Sequence, residues 1–214
     1  MLSNLFGRKE QEEQVKGMGR LPPGQALTQK FPVLHYGPVP SFNPATWDFK
    51  VFGLVEEPKT WTWAEFNQLP RRTVKMDIHC VTRWSKFDTG WEGVHVKDLI
   101  DQGFIKPQPE AKFIMQHCEY GFTVNVPLEV ALSEVFLLAT HYDGKPLEPD
   151  HGYPLRGIAG ALPRQAQSEN DRYFWKGGKW LRGLEFMAQD RAGFWEQAGY
   201  SMTANIWREE RFGW

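Results

Sequence analysis

Cys80 is the residue of this sequence best placed to do chemistry. It lies in DIHCVTRWSKFDTGW (77–91), with His79 before it and Arg83 three residues after. Neighbouring cations favour the thiolate over the thiol, and the thiolate is the form that binds a soft metal. On local chemistry alone an inert buried cysteine is an equal alternative, since free cysteine is among the most buried residue types. Cys118 also follows a histidine, His117, and two His-Cys pairs invite a zinc reading. Adjacent strand residues point to opposite faces, however, so one His-Cys pair serves a single ion badly, and CxxC spacing is absent.

A second group of residues is cationic. Between Arg156 and Arg182 the chain carries six basic residues and two acidic ones, against a net charge of −1 for the whole. A local patch on a near-neutral chain suits a small anion better than a polymer, which gives no electrostatic case for nucleic acid. Within it, His151-Gly-Tyr-Pro-Leu-Arg156 sets a rigid turn between an imidazole and a guanidinium. Further on, Lys176-Gly177-Gly178-Lys179 places two ammonium groups around two glycines. Glycine lets backbone amides approach a ligand, while Arg and Lys neutralise phosphate oxygens. A solvated Arg-rich loop is the plainer reading of the same residues.

Such side chains need elements to hold them. Val74, Met76, Ile78 and Cys80 alternate with Lys75, Asp77 and His79, so a strand delivers Cys80 at its C-terminal end. Further strands are predicted near 47–55, 112–118, 136–141 and 181–187. Thr62 to Glu65 fits a capping box opening a short helix that Leu69-Pro70 ends, and short helices are predicted over 94–102 and 128–134. Without regular βαβ spacing or a Gly-rich nucleotide loop, the expected class is α+β with much sheet. Residues 1–30 read as a loosely ordered tail, because charged GRKEQEEQVKG runs into GMGRLPPGQ without a sustained period. Residues 31–214 then form one domain, whose 10 Trp and 15 Phe fill much of the interior. The N-terminus lacks the apolar run of a secretory signal, and no stretch is long enough to span a bilayer. A reducing cytoplasm, with both cysteines free and no membrane partner, is the expectation.

Together these pieces resemble the sulfite-oxidase family of molybdopterin-binding oxidoreductases, over about residues 31–200. The resemblance rests on Phe-Pro-Val-Leu-His-Tyr-Gly-Pro-Val-Pro (31–40), His79-Cys80 followed by Trp91-Glu-Gly-Val94, and the His151 to Arg156 motif. It also rests on Lys179-Trp180-Leu181 and Phe194-Trp-Glu-Gln-Ala-Gly-Tyr200. The likeness is greatest to short stand-alone bacterial members without haem or dimerisation domains. It implies a sulfite-oxidase-type fold of mixed sheets and short helices, with a molybdenum-molybdopterin cofactor ligated by Cys80. It further implies that His35, Tyr36, Cys118, His151, Arg156, Gly177, Gly178 and Lys179 contact the pterin or its phosphate; His79 and Arg83, as neighbours of Cys80, and Lys176, from the Gly-Gly turn, join them as cofactor-binding candidates. Tyr200 would stand on the substrate side of the metal as a hydrogen-bond donor.

Two departures from the family pattern matter. Leu34 stands where sulfite oxidases carry an arginine for sulfite, which favours reduction of a small neutral S- or N-oxide over sulfite oxidation. The 157–173 stretch is longer than the family's connection and reads as an insertion: a lid, a docking loop, or a disruption of the phosphate site. The alternative function is a non-catalytic protein of the same fold that binds cofactor or docks a partner. With no haem, flavin or iron–sulfur motif, an enzyme of this kind takes a small-molecule substrate, exchanges electrons with a separate redox protein, and is expected to be a monomer.

Overall fold

The structure, a computed structural model, describes residues 2–163 and 169–213. The chain begins with α1 (Leu2–Gly17), β1 (Ala26–Leu27), β2 (Asp48–Gly53), β3 (Lys59–Thr62) and α2 (Trp63–Phe66). It continues through β4 (Arg71–His79), β5 (Trp84–Val94), α3 (Val96–Asp101), β6 (Phe113–Cys118), β7 (Thr123–Pro127) and α4 (Leu128–Ala131). The remainder holds β8 (Phe136–Tyr142), β9 (Lys145–Pro146), β10 (Arg156–Ala159), β11 (Leu181–Met187) and α5 (Phe194–Gln197). One sheet has the order β1-β5-β8-β10, with β4 also on β5 and β9 also on β8; the other runs β3-β2-β11-β6-β7. Among the described residues, only β1 on β5 and β2 on β11 are parallel pairs. The class is α+β, as expected, with the two sheets sharing one apolar cluster. Phe49, Ile114 and Leu184 of the second sheet meet Val94, Phe136 and Leu138 of the first in it.

The predicted capping box forms: Glu65 N donates to Thr62 Oγ1 (3.3 Å) and Thr62 N to Glu65 Oε2 (2.8 Å). β4 departs from simple alternation. From Met76 to His79 it is buried on both faces. Met76 and Ile78 pack with Trp91, Leu137 and Ile158. The opposite face carries Asp77 and His79, which need polar partners in place of water. Arg20 supplies two of them, donating from Nε (2.9 Å) and Nη2 (2.8 Å) to the Asp77 carboxylate. Ser85 Oγ stands 2.9 Å from His79 Nδ1 and donates to Gln25 Oε1 (3.3 Å), while Gln25 Nε2 donates to Cys80 O (3.1 Å).

The reading of 1–30 as a loosely ordered tail is therefore corrected. Residues 2–17 are helical, and Ala26 and Leu27 pair in parallel with Trp84 and Ser85. Hydrogen bonds from Arg20, Gln25 and Leu27 tie the segment down, and Leu21 is its buried apolar anchor, which is too little to leave a hydrophobic period in the sequence. The 157–173 stretch is corrected in part as well. Its beginning continues β10, which pairs with β8 and is wholly buried, and Ala161 bridges to Asp77. Residues 164–168 lie outside the described residues.

Removing one partner of a buried ion pair leaves the other charge uncompensated. Asp77→Ala is expected to cost about 3 kcal/mol or more, read as a lower urea midpoint in equilibrium unfolding. Asp77→Asn, which keeps the shape and one acceptor, should lose less; an unchanged midpoint for both would show that the Arg20 contact does not hold the segment.

Candidate active site

Cys80 follows β4 and opens the turn into β5. Its amide donates to Trp84 O (2.8 Å), the Arg83 amide donates back to Cys80 O (3.0 Å), and Arg83 adopts φ 72° to close the turn. The thiol sits in the wall of a cavity of about 640 Å³, only 8% exposed, with Thr82 Oγ1 at 3.2 Å from Sγ. That volume is typical of small-molecule sites.

The charge of the cavity is set by which of its charged residues are compensated. Glu119 and Glu196 both line it, yet each is neutralised by a partner that does not: Arg182 Nη1 at 2.7 Å from Glu119, and Lys176 against Glu196. Arg156 and Lys179 also line it and spend their hydrogen bonds on neutral carbonyls. Lys179 Nζ donates to Leu34 O (2.8 Å) and Asp150 O (2.6 Å), and Arg156 Nη1 to His151 O (3.1 Å). Burial, reinforced by the Arg156 charge, pulls Lys179 down to about 7, and burial pulls Arg156 down to about 10. The cavity is thus short of negative charge and ready for an anion.

Seven of the residues singled out in the sequence meet here: His35, Tyr36, Cys80, Arg156, Gly177, Lys179 and Tyr200. His35 Nδ1 is 3.0 Å from Gly37 O and its ring lies edge-on to Trp180 at 5.1 Å. Tyr36 rests against Phe194 at 4.8 Å, and Tyr200 sits between Trp195 (5.2 Å) and Phe212 (5.3 Å).

Six others do not line the cavity, each for a physical reason. His79 faces the opposite side of β4, where burial and the Arg20 charge push its pKa down to about 3, so it is neutral. Arg83 turns towards solvent beside Glu209 (3.5 Å). Neither supplies the positive charge expected beside Cys80; Arg156, Lys179 and Arg211 do. Cys118 is buried beneath Gly178, and burial pushes its thiol up, which makes it unreactive. A Cβ at Gly178 would come within 2.6 Å of Cys118 Sγ, and the Gly178 amide already donates to Gln116 Oε1 (3.0 Å). That glycine serves close packing of the turn on β6 and presents no free amide. Lys176 is 1% exposed and held by Glu196, Asn125 Oδ1 (2.9 Å) and Ser201 O (3.3 Å). His151 stacks on Phe31, a lining residue, at 3.8 Å. Its Nδ1 is buried without a hydrogen-bond partner, and burial with the Lys179 and Arg156 charges pushes its pKa down to about 4.

Sequence reasoning missed Trp175, whose Nε1 donates to His79 O (2.8 Å), and Arg211, in the C-terminal segment. No local motif marks Arg211. The bridge of Tyr200 to Phe212 brings it back to the cavity, and that pairing has no signature in either stretch.

An α+β domain with a cysteine at a strand end beside a cationic cavity has the form of a site for an anionic metal cofactor. Residues 36–195 match the family described as the oxidoreductase molybdopterin binding domain, and the chain belongs to that family. It is 42% identical over 98% of its length to the uncharacterised oxidoreductase YuiH of Bacillus subtilis, covering 98% of that protein. It is 24% identical to the protein-methionine-sulfoxide reductase catalytic subunit MsrP of Campylobacter jejuni, over 78% of this chain and 58% of that one. The fold is similar to that of the sulfane dehydrogenase SoxCD from Paracoccus pantotrophus, with a TM-score of 0.61, 18% identity, and coverage of 79% of this chain and 44% of that chain. The protein is a molybdopterin-dependent oxidoreductase whose cofactor is molybdenum-molybdopterin. The residues present fit such a group: a soft thiol, two cations without carboxylate partners, and an imidazole with an unpartnered buried nitrogen.

Lys179 contributes its charge only while protonated, so anion binding should weaken as pH rises through about 7. Sulfate keeps a constant charge over this range. Its affinity for cofactor-free protein is expected to fall up to about tenfold per pH unit above that point. Calorimetric titration checks it, and the pH dependence should vanish in Lys179→Met.

Proposed function

We propose that this chain reduces small S- or N-oxides by two-electron oxo transfer, with Cys80 as the protein ligand to molybdenum. The observation that carries the reading is the placement of Cys80: a thiol fixed by a turn in the wall of a cation-lined cavity, with no covalent partner. When bound, the cofactor supplies a two-electron redox centre that accepts or gives up oxygen; the protein supplies orientation, charge and access. Lys179 and Arg156 would hold the terminal phosphate, with the Gly177 backbone beside them. His35 and Tyr36 would meet the pterin, with His151 behind Phe31 in the wall. Tyr200, on the same cavity, would donate a hydrogen bond from its phenol to the substrate oxygen.

Two features support an oxide over sulfite as substrate. Leu34 contributes an apolar side chain to the lining, where an arginine would favour a small oxyanion. The relative from Campylobacter jejuni is named a sulfoxide reductase, though the chain spans only 58% of it. Family membership and relatives named as oxidoreductases favour an enzyme over the non-catalytic alternative. A separate redox protein as electron donor, a monomeric state and a cytoplasmic location belong to the same proposal. Among the described residues no helix is long and apolar enough to cross a membrane.

Protein made in a host that synthesises the cofactor should contain molybdenum and pterin near one per chain by mass spectrometry. Cys80→Ser is expected to abolish S-oxide reduction and the sulfur-to-molybdenum charge-transfer absorption while the fold persists. Full metal content and activity in Cys80→Ala would sink the ligand assignment. Tyr200→Phe should lower kcat about 100-fold, the scale for losing one well-placed donor, with cofactor content unchanged.

A further inference from the structure

One cation of the cavity has no part in the contacts proposed for the cofactor. Arg211 lines the same cavity as Cys80, on the C-terminal segment. Both of its terminal nitrogens, Nη1 and Nη2, are closed off from solvent and have no hydrogen-bond acceptor. Its nearest carboxylate, Glu209 Oε1, is 3.6 Å away and lies 3.5 Å from Arg83 as well. Two guanidinium groups share one carboxylate there, so one positive charge remains unmatched. A guanidinium keeps its proton under all ordinary conditions, and a buried one without acceptors is destabilising until an anion joins it.

The position of Arg211 is fixed from two sides. Its guanidinium lies over the Trp175 ring at 4.8 Å, and the Trp175 indole is bound to the end of β4 through His79 O. Its carbonyl accepts from Ser201 N (3.2 Å), next to Tyr200. Lys179 and Arg156 are held elsewhere, against carbonyls of Leu34, Asp150 and His151. Shielded from water, the Arg211 charge acts across the cavity with little screening.

We propose that Arg211 is a specificity-determining residue that selects substrates bearing an anionic group, so that the favoured oxide carries a carboxylate or a similar anion beside its S–O or N–O bond. The inference rests on the oxide-reduction reading and narrows its substrate class. The neutral Leu34 side of the lining takes the uncharged oxide, and the positive potential of Arg211 favours the anionic end.

The test uses the oxidised holoenzyme without electron donor, where ligands bind and do not turn over. Two probes of matched shape, 3-(methylsulfinyl)propanoate and its amide, are titrated calorimetrically into the natural protein, Arg211→Gln and Arg211→Lys. The natural protein should prefer the carboxylate by about tenfold, the scale of one partly screened charge pair. Arg211→Gln should bind both alike, and Arg211→Lys should keep most of the preference, with molybdenum and pterin content unchanged throughout. An unaltered preference in Arg211→Gln overturns the proposal. So does loss of molybdenum or pterin from that variant, which would assign the charge to the cofactor. Adding an electron donor separates the two readings: a preserved carboxylate preference without reduction of either probe would sink oxide reduction and leave the role of Arg211 standing.

Discussion

The end of β4 is buried on both faces, and much of the structure follows from making that tolerable. An apolar face against Trp91 is simple to bury, but the other face carries a carboxylate and an imidazole. Leaving either without partners would cost more than an ordinary side-chain contact returns. The chain answers with Arg20 on Asp77 and with the Gln25, Ser85 and His79 Nδ1 series, while His79 Nε2 keeps no hydrogen-bond partner and the ring stays neutral. The same Gln25 reaches the carbonyl of Cys80. The polar contacts of the buried strand and the placement of the Cys80 thiol are therefore one network, and the N-terminal segment belongs to the site's support.

This network explains which parts of the molecule could be read from the sequence. Strands built on apolar runs, such as β6, β8 and β11, were legible because burial wrote those runs. β5 was not, although it has 11 residues, since WSKFDTGWEGV mixes polar residues and glycines along its length. Its Gly93 approaches β8 so closely that a Cβ would lie 2.0 Å from Leu138 O, a demand of packing that spacing does not reveal. The N-terminal segment was hidden for the opposite reason: its contacts are polar, and polar residues in a Gly- and Pro-bearing stretch look alike whether docked or free.

The site shows a similar division. Motifs found the right neighbourhood, because His151 to Arg156 and Lys176 to Lys179 do converge near Cys80. They did not separate residues that face the cavity from those that hold its wall. Lys176 and Lys179 flank the same glycine pair, yet one closes a buried ion pair with Glu196 while the other reaches carbonyls across the cavity. Which lysine does which depends on where Asn125, Glu196 and Ser201 arrive, all distant in sequence. The charge of the cavity likewise depends on partners outside it: without Arg182 on Glu119 and Lys176 on Glu196, its two carboxylates would cancel two of its cations.

Both ends of the described chain come back to the same point, which has a consequence for how such a site changes. The N-terminal segment reaches Cys80 through Gln25, and the C-terminal segment reaches the cavity through Arg211 and the Tyr200–Phe212 bridge. The Cys80 thiol and the cavity cations Arg156 and Lys179 sit on or beside sheet strands whose registers are fixed by extensive pairing. The C-terminal segment is held by the Tyr200–Phe212 bridge, a 3₁₀ turn, local hydrogen bonds around Ser201, Asn205 and Glu210, and the stacking of Arg211 on Trp175. A substitution in that segment disturbs few ladder hydrogen bonds, whereas a register change in β4 would turn Cys80 to the wrong face. With the roles proposed for these residues, cofactor retention would be built on the rigid part of the fold, and substrate preference on the part that is cheaper to alter.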